Sequence, residues 1–358
     1  MIVKNIKLTN YRSYINTDFT FTKGLNIILG NNAVGKTNLV EAIYYCCIGK
    51  SFRTSKEKDV INFDKDNANI FISILKRFGN SNIEINFDKN KKKVVKINKI
   101  PIKRIGELMG ELNVVFFSPN ELKLIREAPE DRRKFLDIDI SQVSKNYFYL
   151  LNRYEKILMY RNKLLKDTKD INVLKDNIFI WDEQLSNIGS KIILSRIKFI
   201  NKLTPYAKLA HNYLTDNNES LELEYIGIKG EDTKVIKEKF LNELQKNIEK
   251  DFNLGYTTIG PHRDDLSVKI NNIDVRNFGS QGQQRTAAIS LKLAELEIFK
   301  DESGEMPILI LDDVFSEIDD KRKNKLINFS KKTQTIITAT EYPLKASKDI
   351  NFIKISKN

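Results

Sequence analysis

Residues 30–37 read "GNNAVGKT": a glycine, four residues, then Gly-Lys-Thr. The run before it, "LNIIL" (25–29), is apolar and β-branched at strand length, and "NLVEAIYYCCI" (38–48) has the texture of a helix. Strand, glycine loop and helix together form the setting in which such a sequence cradles phosphate. Gly30 and Gly35 let the backbone turn so that N–H groups of Asn31, Asn32, Ala33 and Val34 aim at phosphate oxygens. The helix start, which includes Asn38, adds its positive end. Lys36 is placed to reach the β- and γ-phosphates and the Thr37 hydroxyl to ligate Mg²⁺. The expected ligands are therefore ATP and Mg²⁺.

Such a loop needs an acid behind a second buried strand. "MPILILDDV" (306–314) supplies it: the "ILIL" run is apolar on both faces, as in a strand inside a parallel sheet, and it ends on Asp312 and Asp313. Asp312 is expected in the Mg²⁺ shell, and Asp313 is expected to polarise the attacking water. Lys36 and Asp312 lie near opposite ends of the chain, an arrangement that belongs to ABC-type ATPases. Those carry a third motif at a helix start shortly before the acids, and here it is "SQGQQR" (280–285). Ser280 offers a hydroxyl, Gly282 an N–H with no side chain in the way, and the helix beginning near Gln283 a positive end. Lys36 already holds the γ-phosphate from one side, so this second receptor is expected to serve a nucleotide on another copy. ATP would then join two heads, and hydrolysis would part them. "SEID" (316–319) stands where such ATPases place a loop that meets the partner.

The fold class expected is α/β: an ABC-type P-loop head with an inserted, mainly helical arm. The divisions are 1–128 (head, P-loop part), 129–250 (arm) and 251–358 (head, third motif and acids). "NIKLTNY", "ANIFISILKRF", "SNIEINF" and "KVVKIN" read as strands of the first part. "KNKKKVVKINKIPIKR" (89–104) is a basic hairpin around "NK". From Pro129 the texture becomes helical. Tyr147, Leu150, Tyr154, Ile157, Arg161 and Leu164 follow helical spacing, and Trp181–Leu203 forms a second amphipathic run, so the pair predicts an antiparallel arm. Pro205 and the polar "TDNNES" are expected to end these helices, and a third, charged helix spans 232–250.

The chain has 358 residues, 41% hydrophobic and 30% charged, and no run near the ~20 apolar residues of a membrane span. Its start reads as a strand rather than an export signal, and Cys46 and Cys47 are adjacent, so a reducing cytoplasm is expected. The net charge of +13 suits a polyanionic partner, although enrichment in Lys, Asn and Ile from AT-rich coding would also produce it. Two features depart from transporter-type heads. No histidine follows "QTIITAT" (334–340), where Thr338, Thr340 and Glu341 stand, and Asp313 replaces the longer glutamate. The shorter carboxylate sits farther from the water, which predicts slow hydrolysis.

Taken together, "NYRSY" (10–14), "GNNAVGKTNLVEAIYY" (30–45), "KSFRT" (50–54), "RRKFLD" (132–137), "RYEKILMYRNKLL" (153–165), "GPHRDDL" (260–266), "SQGQQRTAAISLKLAE" (280–295) and "ILDDVFSEID" (310–319) resemble blocks of the RecF family of DNA-repair ATPases. The resemblance implies an ABC-type head with a short arm and an ATP-dependent homodimer. It also implies binding to double-stranded DNA at single-strand/double-strand junctions of gaps, and work with RecR and RecO that helps load RecA. It places Arg12 near the nucleotide, Lys36, Thr37 and Asp312 on phosphate and Mg²⁺, Asp313 as the catalytic carboxylate, and Ser280, Gly282 and Gln283 in trans. The family's metal-linked glutamine should fall in "FFSPNEL" (116–122), where no glutamine exists. For DNA the candidates are Lys50, Arg53 and the lysines of 89–104, among them Lys91, Lys92 and Lys93, which serve equally well as charges that blunt an edge strand. Two other readings share the motifs. One is an SMC-type DNA clamp, whose coiled coil would be far longer than the 129–250 arm. The other is the ATPase subunit of a transporter.

Overall fold

The computed structural model describes residues 1–119, 123–341 and 350–356. Among them, a five-stranded parallel sheet forms the centre, in the order Ile350–Lys354, Leu25–Leu29, Thr335–Ala339, Ile308–Asp312, Val114–Phe117. Strands from the first and last thirds of the chain interleave in it, so the head closes only when both ends meet. Ile308–Asp312 is buried at every position, the burial that its unbroken "ILIL" run requires. The P-loop helix Lys36–Ile48 is buried along nearly its whole length between this sheet and a second one.

That second sheet is antiparallel, in the order Tyr14–Thr20, Ile2–Tyr11, Asn67–Lys76, Gly79–Asp88, Val94–Ile97, Ile100–Pro101. Asn67–Lys76 and Gly79–Asp88 alternate buried and partly exposed positions, as a sheet with one face on the core must. The basic hairpin forms around "NK" as expected: Asn98 and Lys99 both have positive φ, and Ile97 pairs with Ile100. The edge strand Tyr14–Thr20 carries no clean alternation and was not anticipated. It exists because Ile2–Tyr11 offers it a ladder from Asn5–Thr20 to Tyr11–Tyr14.

The helical segment comprises Pro129–Val143, Lys145–Asp167, Ile171–Thr215, Thr233–Lys246 and Ile248–Leu254. Pro129 occupies the first turn of its helix, where its missing N–H costs nothing. The antiparallel pair is present, but its second helix begins at Ile171, capped by Asp170, and runs 45 residues. It passes straight through Pro205. Pro205 and Asn201 are both exposed, so the Asn201 carbonyl, which a proline four residues on cannot serve, lies on the solvent side of the helix. Only the polar run after Thr215 ends it. Arg161, on the apolar stripe of Lys145–Asp167, is fully buried and is neutralised by Asp182 at 2.6 Å and Asp251 at 2.7 Å. The third helix stops at Lys246, and Asn247 starts a separate short one.

A third sheet, Ile273–Asp274, Asp265–Ile270, Leu221–Ile226, joins the helical segment to the head. The long helix Ile171–Thr215 lies on the helix Gln281–Ser303, tied by His211 Nδ1 to Ser290 Oγ at 3.0 Å. One hydrophobic cluster runs from the parallel sheet through both helices to Phe240. No helix among the described residues is long and apolar enough to cross a membrane.

Candidate nucleotide site

The strand Leu25–Leu29 delivers the chain to the P-loop at the carboxyl end of the parallel sheet, where α/β sheets bind ligands. Gly35 has φ 113°, and a Cβ there would stand 2.9 Å from Ser13 Oγ and 3.0 Å from the Tyr14 hydroxyl. Only glycine fits. Ala33 also adopts positive φ, at 65°. Lys36 is buried, and its ammonium bonds the carbonyls of Gly30 at 2.5 Å and Asn31 at 2.9 Å, which holds it folded over the loop. Asn38, one turn into the helix, donates to Ser13 Oγ at 3.0 Å.

Thr37 and Asp312 meet as the sequence predicts, with Thr37 Oγ1 3.5 Å from Asp312 Oδ1. Between their strands lies Thr335–Ala339, whose Thr338 is in register with Asp312 on one side and Ile28 on the other. The Thr338 hydroxyl donates to Asp312 Oδ1 at 2.7 Å and accepts from the Asp313 N–H at 2.9 Å. Burial raises the pKa of Asp312, the hydroxyls of Thr338 and Thr37 oppose that shift, and the charge of Asp313 adds to it. A buried carboxylate and one hydroxyl make a donor set that suits Mg²⁺, which keeps waters and phosphate oxygens for its other positions. No larger His, Cys, Asp or Glu cluster exists among the described residues. Asp313 takes a left-handed conformation, φ 55°, that turns the chain out of the strand and leaves its side chain exposed. In the "SEID" loop, Asp319 caps the next helix by accepting from the Arg322 N–H at 3.0 Å; Asn120–Leu122 of "FFSPNEL" lie outside the described residues.

Arg12 reaches the P-loop helix through a buried partner, Glu41. Its Nε and Nη2 bond the two Glu41 oxygens at 3.0 and 2.7 Å, and its Nη1 donates to the Asp59 carbonyl. Arg53, a DNA candidate, joins the same group: it donates to Asn38 Oδ1 at 2.8 Å and stands 3.7 Å from Glu41. Lys93 also turns inward, to the Tyr45 hydroxyl, the Gly49 carbonyl and Glu57. Lys91 and Lys92 remain exposed, while Lys50 stands at the mouth of a cleft, where burial and the nearby charge of Lys134 lower its pKa.

Ser280 caps the helix Gln281–Ser303, accepting from the Gln283 N–H at 3.2 Å, while the Gln283 side chain accepts from the Ser280 N–H at 2.9 Å. The helix thus starts two residues before the expected position. Gln283 also donates to Glu219, which His211 contacts from the long helix. A Cβ on Gly282 would meet nothing nearer than Ser280 Oγ at 3.9 Å. Neither residue bonds to its own P-loop.

Sequence reasoning missed Glu41, and it named Thr338 only as the residue standing where a histidine was absent. A buried acid inside an apolar helix run, "NLVEAIYY", was the available signal for Glu41. Nothing local marked Thr338, whose partner lies on another strand.

A family model described as the RecF/RecN/SMC N terminal domain matches residues 2–357. The DNA replication and repair protein RecF of Alkaliphilus oremlandii is 49% identical over 344 residues, 95% of this chain and 93% of that protein. RecF of Clostridium acetobutylicum is 46% identical over 341 residues, with the same coverage. The solved structure of the recombination mediator protein RecF with ATP, of the RecFOR pathway, superposes with a TM-score of 0.89 at 37% identity, covering 99% of this chain and 95% of that one. An SMC head bound to a domain of ScpA has a TM-score of 0.57 at 15% identity over 95% of this chain and 90% of that one, a likeness of fold alone. The chain belongs to the RecF family of DNA replication and repair proteins.

Proposed function

We propose that this protein is an ATP-driven dimerisation switch that binds double-stranded DNA at the junctions of gaps and, with RecR and RecO, promotes RecA loading. The observation that carries the switch is Gly282. Glycine in a helix costs about 0.5–1 kcal/mol relative to alanine, and no neighbour within this chain demands it there. Ser280 beside it is exposed, at the positive end of a long helix. An external phosphate approaching that backbone accounts for both residues, and a second copy of the chain supplies it.

In this reading Lys36 and the loop amides from Gly30 to Val34 hold the β- and γ-phosphates of ATP from one head. Ser280, Gly282 and the helix start with Gln283 hold the γ-phosphate from the other. Thr37 and Asp312 would hold Mg²⁺, whose charge offsets that of the phosphates when bound. Asp313 orients the attacking water. Its short side chain keeps turnover below an ordinary enzyme rate of ~10 s⁻¹, so that hydrolysis resets the dimer rather than driving flux. Arg12, bound to Glu41 on the P-loop helix, lies where it can report nucleotide occupancy to the antiparallel sheet.

The switch is tested by steady-state ATP turnover with and without gapped duplex, alongside duplex affinity with and without ATP. Slow turnover and ATP-dependent affinity support it. An ATP-independent affinity contradicts it.

A further inference from the structure

Residues of several blocks that resemble the family lie away from the P-loop and the acid pair, and the structure brings them together. A cleft of about 820 Å³ between the head and the helical segment receives Lys50 of "KSFRT", Arg133 and Lys134 of "RRKFLD", Tyr154 of "RYEKILMYRNKLL" and His262 of "GPHRDDL". The floor is neutral. Burial lowers the pKa of His262 to about 4, and its two ring nitrogens are taken by the Tyr154 hydroxyl at 2.8 Å and the Thr257 carbonyl at 3.0 Å.

The charges around the floor are not equally available. Arg196 is held by Asp137 in a two-pronged pair, and Lys93 by Glu57. That leaves Lys50, Arg133 and Lys134, with the carboxylates Glu130 and Glu155 also on the rim. Among the described residues neither carboxylate comes within ion-pair distance of those three cations, and neither Lys50 nor Lys134 has a hydrogen-bond partner. Arg133 donates one bond, from Nη1 to the Asp264 carbonyl at 2.8 Å, which fixes the plane of its guanidinium. Lys50 and Lys134 stand in each other's field, which Glu155 and Asp137 offset only in part, so an anion between them gains from both, and a guanidinium beside them suits phosphate oxygens.

We propose that this cleft is a phosphate-recognition site for the backbone of duplex DNA, contacted by Lys50, Lys134 and Arg133. The inference rests on the DNA-binding reading above. It assigns that contact to the junction of head and helical segment rather than to the lysine hairpin 89–104. A relative motion of the two parts would then change the grip on DNA.

The test is the salt dependence of binding to a short blunt duplex, measured by fluorescence anisotropy, for the wild type and for Lys50→Ala/Lys134→Ala. Losing two phosphate contacts lowers the slope of log K against log salt by about 2, with roughly a tenfold or greater loss of affinity near 0.15 M salt. Lys134→Arg retains the wild-type slope. Among the described residues neither lysine makes a hydrogen bond or ion pair, and the two repel one another, so the melting temperature of the double variant does not fall and serves as the control for folding. An unchanged slope in a folded double variant overturns the proposal. If wild type binds no duplex at any salt, the DNA reading itself fails. Inorganic pyrophosphate binding, measured in a Lys36→Ala background to silence the P-loop, then tests the cleft alone: binding lost in the double variant supports a phosphate site, and no binding overturns it.

Discussion

Thr338 shows how one hydroxyl organises the end of a parallel strand. It donates to Asp312 and accepts from the Asp313 N–H, so both acids depend on it. Thr338→Val keeps the shape and leaves a buried carboxylate oxygen and an N–H without that partner. The expected loss is about 1–3 kcal/mol, read from the urea midpoint, and an unchanged midpoint would show that water replaces the hydroxyl. Gly282→Ala separates the two roles of its position in opposite directions. Helix propensity raises monomer stability by about 0.5 kcal/mol, while the added methyl weakens ATP-driven association. A variant that dimerises as well as wild type would remove Gly282 from the interface. The meeting of Thr37 with Asp312 and the helix start at Ser280 were legible from the sequence, because each residue sits in a motif whose spacing fixes its place. Glu41 and Thr338 were less so, because their importance lies in partners far away in the chain.

At the scale of elements, the strands of the parallel sheet could be read directly, since a strand buried on both faces needs an unbroken apolar run. The long helix could not. Proline normally ends such an element, and whether it does depends on which way the ring faces. Here it faces water, and Thr204 bonds the Ile200 carbonyl beside it. Pro205→Ala restores the missing N–H to Asn201 and should stabilise the protein by about 1–2 kcal/mol in urea unfolding. A loss of stability would mean that the proline itself is needed in the helix that packs on Gln281–Ser303. The "GPHRDDL" turn carries a pH signature. His262 is held neutral with a folded pKa of about 4 against an ordinary value of ~6.5. Its contribution is present above pH ~6.5 and is lost as pH falls through about 4, worth up to about 3 kcal/mol. Burial raises Asp264 to about 6, so its contribution runs the other way, present below pH ~3.9 and lost as pH rises through about 6. The difference between wild type and His262→Gln across pH 4–7 isolates the histidine, and the wild type should lose more stability on acidification. Equal acid sensitivity of the two would contradict a buried neutral imidazole.

For the whole molecule, the two ends of the chain build one sheet, and the segment between them forms the helical part. This arrangement was legible from the distance between the P-loop and the second acid. The cleft at the junction was not, because it gathers residues from four separate blocks whose spacing says nothing about their meeting. In the function proposed above, the same head carries two halves of a nucleotide site that do not bond to each other. Sedimentation velocity of wild type, Lys36→Ala and Ser280→Arg, each with and without ATP and Mg²⁺, tests it most directly, with nucleotide binding to the monomer followed in parallel. The account predicts that ATP converts wild type to a dimer and leaves both variants monomeric, and that Ser280→Arg still binds ATP while Lys36→Ala does not. Loss of ATP binding in the Ser280→Arg monomer would place Ser280 in its own head's site and contradict a nucleotide shared between two copies.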